Sequence, residues 1–251
     1  MINRYFTKKL VLIGVFALFT GISYGQENNK TPESTEIWEP QPRKVEPGQG
    51  NQPPSDAIVL FDGNDLSEWE HPDGSPAKWN VHDGMVTVKP GTGTIQTKKE
   101  FGDIQLHIEF KCPEDDHDEG QGKGNSGVFL QGRYEIQVLD NYENKTYANG
   151  QVGSIYKQHI PLVNASREPG EWQSYDVIYQ APRFNDEGRV IIPSQITVLH
   201  NGVVIHNSVN IQGNTSYIGA HQYEEHDLKE PLKLQDHGDL VSYRNIWVRE
   251  L

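Results

Sequence analysis

The feature that most constrains the fold of this chain is a succession of short apolar runs separated by turn residues. From Ala57 onward, runs such as SYDVIYQ and YRNIWVREL end at Gly, Asn, Asp or Pro. Asp83-Gly84 and Asn201-Gly202 are typical of the two-residue turns that join antiparallel strands. We find no convincing amphipathic helix longer than about two turns. The pattern therefore predicts an all-β domain in which two antiparallel sheets pack as a sandwich or jelly roll.

The start of the 251-residue chain has the pattern of a secretory signal peptide. Three basic residues precede an apolar run over residues 10–19, and the small-residue stretch Ser23-Tyr24-Gly25 follows. The run is shorter than the roughly 20 apolar residues needed to cross a bilayer, so a membrane anchor is the less favoured interpretation. We expect residues 1–25 to be a cleaved signal peptide. No cysteine follows the run as an attachment point for a lipid, which predicts a secreted or periplasmic product.

Residues 26–55 have a different composition from the rest of the chain. They contain six prolines among Gln, Asn, Glu and Gly, with few and scattered apolar residues. Such a segment cannot form a core, and it is predicted to be a disordered Pro-rich linker. Residues 56–251 are then one domain, which is long enough for a single core.

Charge and cysteine content exclude some classes of function. The formal net charge is −13, and it becomes −16 when the three basic residues of the leader are removed. A surface this acidic repels phosphate backbones, and we therefore expect no nucleic-acid partner. The single cysteine, Cys112, cannot form an internal disulfide, and stability must come from the apolar core.

Two of the predicted strands place titratable and amide side chains on one face. In IQLHIEFK the apolar residues alternate with Gln105, His107 and Glu109, and in RYEIQVLD they alternate with Glu135 and Gln137. Because side chains alternate across a strand, these polar groups lie opposite the core. A plainly solvated sheet face is the ordinary explanation of such alternation.

Six segments of the chain, in order, resemble the 3-keto-disaccharide hydrolase family. They are LFDGNDLSEW, WNVHDGMVTV, GNSGVFLQGRYEIQVLDN, GSIYKQHIPLVNASREPGEWQSYDVIY, VLHNGVVIHN and LKLQDHGDLVSYRNIWVREL. The resemblance covers roughly residues 57–251 and implies a concanavalin-like jelly roll. Two insertions depart from the pattern, CPEDDHDEGQGKG and APRFNDEGRVIIPSQ, and both are expected to reshape the cleft.

The resemblance implies a sugar substrate oxidised at carbon 3 and cleavage of its glycosidic bond. A ketone at carbon 3 acidifies the hydrogen on carbon 2, so that a base can remove it and the enolate can expel the aglycone from carbon 1. Water can then add to the unsaturated product. This chemistry needs a base, a donor to the enolate oxygen and a group that assists the leaving oxygen. We expect an oxidised glycoside as the partner, with no cofactor and no metal.

Glu135 is the first choice for the base, because it lies in mid-strand beside Gln137 on the polar face. The alternative is a salt bridge between Glu135 and Arg133 or a nearby lysine. Glu109 is the second carboxylate, with His107 as a proton shuttle. Candidate donors to hydroxyl or enolate oxygens are Asn125, Arg133 and Gln137, although Asn125 also fits an ordinary turn.

Other candidate substrate contacts lie on predicted loops and near the C-terminus. Tyr156 is placed on a loop over the cleft, where it would stack on a sugar or donate a hydrogen bond; the alternative is a core tyrosine. Gln235 and His237 face away from the core side of their strand. Arg244 is a candidate for binding a substrate oxygen or pairing with a carboxylate. Trp172 is more typical of a core anchor.

Two clusters of acidic and histidine residues are candidate metal sites, but we interpret both as solvated loops. The acidic run over residues 115–119 lacks the ligand spacing of a calcium loop. His221 and His226 lack the spacing of a zinc protease. Two rival functions remain, a conventional glucanase of the same fold and a glycan-binding module without catalysis. The glucanase is disfavoured because Gln137 stands where a second acid is needed.

Overall fold

A computed structural model describes residues 31–251, which divide into two units. Residues 31–44 belong to the first unit and contain a 3₁₀ turn, Pro32–Thr35. The second unit, Val45–Leu251, is the β domain and begins before the predicted boundary at residue 56. The predicted signal peptide lies outside the described residues. No helix within residues 31–251 has the length and apolar character needed to span a membrane.

The β domain has fifteen strands and two further 3₁₀ turns, Gly120–Gly122 and Ala148–Gly150. In chain order, β1 to β15 are Ile58–Phe61, Trp69–Glu70, Asn80–His82, Met85–Thr87, Ile95–Phe101, Ile104–Lys111, Ser126–Leu130, Tyr134–Val138, Gln173–Gln180, Arg183–Phe184, Val190–Ile192, Gln195–His200, Val203–Asn210, Glu230–Leu234 and Ser242–Glu250.

The strands form two main sheets, which confirms the predicted all-β sandwich. The larger sheet has eight strands in the order β13-β12-β9-β6-β15-β4-β3, with β1 also paired to β15. The smaller sheet has five strands in the order β2-β5-β14-β7-β8, and β10 and β11 form a separate ribbon. Strand pairs along both sheets are antiparallel.

The two predicted hairpin turns are present. Asp83 and Gly84 join β3 to β4, and Asn201 and Gly202 join β12 to β13. All four residues have positive φ, between 50° and 79°. Positive φ at both central positions is the geometry of a type I′ turn, whose twist matches that of the paired strands.

The core lies between the two main sheets and is formed by their inward side chains. Tyr175 and Tyr243, on the larger sheet, are fully buried. The Tyr175 hydroxyl donates to the carbonyl of Gln137 on β8 at 2.7 Å, and the Tyr243 hydroxyl donates to Oγ of Ser126 on β7 at 2.7 Å. These bonds tie the sheets together and fix the smaller sheet in place. A cleft lies on the outer face of the smaller sheet.

Candidate active site

A cleft of about 600 Å³ lies on the outer face of β7 and β8. This volume is within the usual range of small-molecule sites. Four loops contribute to its lining, from the stretches before β7, after β8, after β13 and after β14. Its lining residues are Gln121, Asn125, Phe129, Glu135, Gln137, Tyr147, Tyr156, Thr215, Tyr217, Gln235 and His237. The structure thus brings together six of the ten predicted site residues: Glu135, Asn125, Gln137, Tyr156, Gln235 and His237.

Glu135 projects from the middle of β8 into this cleft. Phe129 on β7 is its cross-strand partner, and Gly127 is the partner of Gln137. A Cβ at Gly127 would lie 2.7 Å from Glu135 Oε1, so only glycine leaves room for the carboxylate. The free edge of β8 is covered, because Glu135 N donates to Thr215 Oγ1 at 3.0 Å and its carbonyl accepts from Tyr156 N at 3.2 Å.

The environment of Glu135 favours the protonated carboxyl. The residue is 5% exposed, and within residues 31–251 no group donates a hydrogen bond to its carboxylate. The alternative salt bridge with Arg133 does not form, since Arg133 pairs with Glu230 instead. Burial raises the pKa of Glu135 from 4.5 to about 8. A carboxyl with a pKa near neutrality is suited to general acid–base work.

Amide side chains form the polar wall of the cleft. Gln137 Nε2 donates to Gln121 Oε1 at 3.3 Å and to Asn125 Oδ1 at 3.4 Å. Asn125 Nδ2 in turn donates to the carbonyl of Gln121 at 2.6 Å. The Oε1 atoms of Gln137 and Gln235 are buried and have no hydrogen-bond partner in the described part of the chain. Buried acceptors of this kind are uncommon, and both residues line the cleft.

Three tyrosines also line the cleft. The hydroxyls of Tyr147 and Tyr156 are hydrogen-bonded at 2.6 Å. Tyr217 stands at the rim and is 70% exposed. The Lys157 ammonium lies 4.0 Å from the centre of the Tyr217 ring and donates to the Tyr217 carbonyl. A cleft lined by both aromatic rings and amide groups is suited to a sugar, which has apolar ring faces and polar edges.

The prediction that Glu109 and His107 share a groove with Glu135 is wrong. Both lie on β6 in the larger sheet, between β9 and β15, and their side chains project from its outer face. Glu135 projects from the outer face of the other sheet, so the sandwich core separates it from Glu109 and His107. Strand alternation gives the side of a sheet on which a residue lies, but it does not give the sheet.

Glu109 and His107 instead belong to a cluster that fastens the larger sheet to the start of the domain. Glu109 accepts from Arg244 Nε at 2.6 Å and from Asn51 Nδ2 at 3.1 Å, and its oxygen lies 3.5 Å from His107 Nε2. His107 Nδ1 lies 2.7 Å from Asp176 Oδ1. We call these five residues the His107 cluster.

Two groups of the His107 cluster, His107 and Glu109, have shifted pKa values. Burial by itself would lower the pKa of His107, but the hydrogen bond to Asp176 and the nearby Glu109 carboxylate outweigh burial and raise the pKa to about 9. Burial would likewise raise the pKa of Glu109, yet its bonds to His107, Asn245 and Arg244 hold the pKa well below its ordinary value. The cluster therefore contains paired charges, and the carboxylate of Glu109 is already engaged by donors.

Arg133 and Arg244 are the other predicted contacts that lie outside the cleft. Arg133 donates from Nε and one terminal nitrogen to Glu230 at 3.1 and 3.0 Å, because it precedes β8 beside the start of β14. Arg244 binds Glu109 and stacks over Trp172, 4.1 Å from the ring centre. The second option given for Arg244, pairing with a carboxylate, is the one observed. Trp172 is half-buried on the larger sheet.

The two histidines and the acidic run that are candidate metal ligands contact other protein groups instead. His226 Nε2 lies 2.8 Å from the Tyr134 hydroxyl, and His221 Nδ1 lies 3.2 Å from the carbonyl of Asn214. In the acidic run, Asp116 accepts from the backbone nitrogens of Asp118 and Gly124. Across residues 31–251, no group of three or more His, Cys, Asp and Glu side chains is arranged to hold a metal ion. The absence of a cofactor stays a prediction.

Five lining residues were not predicted from the sequence. They are Gln121, Phe129, Tyr147, Thr215 and Tyr217. Phe129 could have been found, because it alternates with Val128 and Leu130 on a strand paired with the Glu135 strand. The other four lie on loops, where no periodicity indicates direction. Their positions depend on long-range contacts such as the bond from Thr215 N to the carbonyl of Arg133.

The fold and the cleft are those of a carbohydrate-acting β-sandwich protein, and similar structures agree. A crystal structure of a candidate glycosyl hydrolase from Parabacteroides distasonis is 52% identical, covers 88% of this chain and 97% of its own, and has a TM-score of 0.86. A second candidate glycosyl hydrolase from the same species has 21% identity, covers 78% of this chain and 94% of its own, and has a TM-score of 0.56. The latter likeness concerns the fold alone.

The family follows from the sequence of the whole domain. Residues 56–249 match the family described as the 3-keto-alpha-glucoside-1,2-lyase-like domain, and the chain belongs to that family. A 3-keto-disaccharide hydrolase from Bacteroides thetaiotaomicron is 26% identical in an alignment that covers 77% of this chain and 78% of that protein. The resemblance identified from the six sequence segments is confirmed.

Proposed function

We propose that this protein cleaves the glycosidic bond of 3-keto glycosides and that Glu135 removes the proton from carbon 2. The observation that carries the proposal is the presence of one carboxylate in the cleft. Among the lining residues Glu135 is the only acid, and it is buried without a protein donor. An unpaired base of this kind is what proton abstraction beside a ketone requires.

A conventional glycosidase needs a second carboxylate. Retaining and inverting enzymes place two acids about 5 Å or about 6.5–9.5 Å apart across the scissile bond. Glu109, the predicted second acid, projects from the opposite sheet and is occupied by Arg244 and Asn51. Elimination needs only one base at carbon 2, so the cleft fits elimination better.

The remaining cleft groups have roles in this reaction. When Glu135 takes the proton of carbon 2, the electron pair forms an enolate whose charge lies on the oxygen of carbon 3. Gln235 Nε2 donates no hydrogen bond within residues 31–251, and it serves as a donor to that oxygen. Gln137 and Gln121, whose amides also line the cleft, contact the hydroxyl groups of the sugar. The enolate then re-forms the ketone, a double bond forms between carbons 1 and 2, and the aglycone leaves from carbon 1.

The test compares 3-keto-trehalose and 3-keto-lactose with their unoxidised parents. We expect free sugar from the keto forms alone. Glu135→Gln keeps the size of the side chain and should lower kcat/KM by at least about 10²-fold, the usual contribution of a general base. Glu100→Gln is the matched control, since Glu100 lies exposed on β5 outside the cleft, and it should change kcat/KM by less than about twofold.

Three outcomes would contradict the proposal. Cleavage of the unoxidised parents at a similar rate would favour a conventional glucanase. Tight binding without turnover, unaffected by Glu135→Gln, would favour a glycan-binding module. A loss below about threefold in Glu135→Gln would remove Glu135 from the role of base.

A further inference from the structure

The cleft contains a pair of tyrosine hydroxyls that the base mechanism does not use. Tyr147 and Tyr156 both line the cleft, and their hydroxyl oxygens are 2.6 Å apart. Two hydroxyls carry two hydrogens, and one of them is shared between the oxygens. The second hydrogen remains, and nothing else within residues 31–251 accepts it. The pair therefore holds one proton that it can donate into the cleft.

The backbone fixes Tyr156 beside Glu135. Ile155 forms an antiparallel bridge with Ile136, and Tyr156 N donates to the carbonyl of Glu135 at 3.2 Å. Tyr156 is 9% exposed, whereas Tyr147 is 39% exposed and lies nearer the mouth of the cleft. Carbons 1 and 2 of a sugar are bonded neighbours, so the proton donor for the oxygen on carbon 1 must lie close to the base at carbon 2. Tyr156 meets this requirement.

The ring of Tyr147 packs against position 150, which only glycine can occupy. A Cβ at Gly150 would lie 1.9 Å from Cε2 of the Tyr147 ring, so the ring packs directly on the backbone there. The two tyrosine rings meet edge to face, with centres 6.3 Å apart. This packing orients the Tyr147 hydroxyl toward Tyr156.

Lys157 places a positive charge beside both rings. Its ammonium lies 5.6 Å from the centre of each ring. Lys157 adopts a φ of +58°, which is uncommon for a residue with a side chain. Its backbone nitrogen donates to the carbonyl of Asn149 at 2.7 Å. Backbone strain of this kind is often found at functional sites. Burial and the hydrogen bond to Tyr147 raise the pKa of Tyr156 above its ordinary value, so the hydroxyl stays protonated and is present as a donor.

We propose that Tyr156 donates a proton to the leaving oxygen and that Tyr147 is the positioning residue that hydrogen-bonds to it and relays its replacement. This inference rests on the proposed function. As the bond from carbon 1 to the aglycone oxygen breaks, its electron pair stays on that oxygen, which takes the Tyr156 proton. Tyr156 recovers a proton from Tyr147, which recovers one from water. Glu135 releases the proton of carbon 2 to water, so the number of protons balances.

The experiment varies the leaving group in 3-keto glucosides. Tyr156→Phe removes only the hydroxyl, and we expect kcat/KM to fall by at least about 10²-fold with a methyl aglycone. With p-nitrophenolate, which leaves readily without protonation, the loss should be below about threefold. Tyr147→Phe should show the same ordering with a smaller loss. Tyr142→Phe is the matched control, because the Tyr142 hydroxyl lies outside the cleft and bonds to Glu168, and it should change neither rate.

Exchange of the carbon-2 hydrogen separates failure of this inference from failure of the proposed function. In D₂O, Tyr156→Phe should still exchange that hydrogen in the methyl glycoside, because Glu135 remains, while Glu135→Gln should not. Losses of equal size for both leaving groups would overturn the inference, because losing a proton donor must slow the methyl glycoside far more than the p-nitrophenyl one. No loss with either leaving group would also overturn it and would indicate that Glu135 itself passes its proton to the leaving oxygen. Wild-type protein that neither exchanges nor cleaves any 3-keto glucoside would overturn the proposed function, and this inference with it.

Discussion

At the residue scale, Glu135 owes its chemistry to what surrounds it. Its partner across the strands is Phe129, the neighbouring Gly127 has no side chain, and no protein donor approaches its carboxylate within residues 31–251. Burial without a donor favours the neutral form and raises the pKa of Glu135 to about 8. Glu109 shows the contrast. It is equally well buried, but four donors surround it and hold its pKa well below the ordinary value.

The raised pKa of Glu135 predicts the direction of the pH dependence. The base must be deprotonated to act, and at neutral pH most of the free protein carries the protonated carboxyl. We therefore expect kcat/KM for a 3-keto glycoside to rise about tenfold per pH unit below the pKa and to level off above about 8. Initial rates between pH 5.5 and 9.5 measure this limb, and Glu100→Gln should keep it. A flat profile across that range would contradict the assignment of Glu135 as the base.

At the element scale, β6 and β8 show what the alternation of side chains within one strand can predict and what it cannot. Both strands alternate apolar and polar side chains, and both were correctly predicted to turn their polar groups away from the core. Their alternation is the same, yet β6 pairs with β9 and β15 while β8 pairs with β7. Pairing is decided by contacts distant in sequence, so the pattern of a single strand cannot distinguish the sheets. This is why Glu109 and His107 were placed with Glu135.

The separation of the two sheets predicts that Glu109 affects stability and leaves catalysis intact. Glu109→Gln removes the charge that Arg244 and His107 share, and we expect it to lower the free energy of unfolding by about 1–3 kcal/mol. Calorimetry should record this as a lower Tm. Well below the transition, kcat/KM should stay within about twofold of wild type. A loss above about tenfold in a folded variant would place Glu109 back in the active site.

At the scale of the whole molecule, the sequence predicts the architecture better than it predicts the cleft. Turns at Asp83-Gly84 and Asn201-Gly202 have local causes, so both hairpins and the all-β class could be predicted. Glu135, Gln137 and Gln235 could be predicted because they lie on or next to strands of alternating pattern. Tyr147 and Tyr217 could not, since they lie on loops that are placed by distant contacts, such as the bond from Lys157 to the Tyr217 carbonyl. Residues 45–55, predicted as linker, include Asn51, which binds Glu109.

The removal of the carbon-2 proton is the step on which this account depends, and one measurement follows it directly. The protein is given a 3-keto disaccharide in D₂O, and the released sugars are followed by NMR, with a sample without protein as the control for spontaneous exchange. We predict that the sugar that carried the ketone loses its original hydrogen at carbon 2 in every turnover, whether the product is hydrated or unsaturated. Released sugar that keeps that hydrogen would show direct hydrolysis and would contradict the assignment.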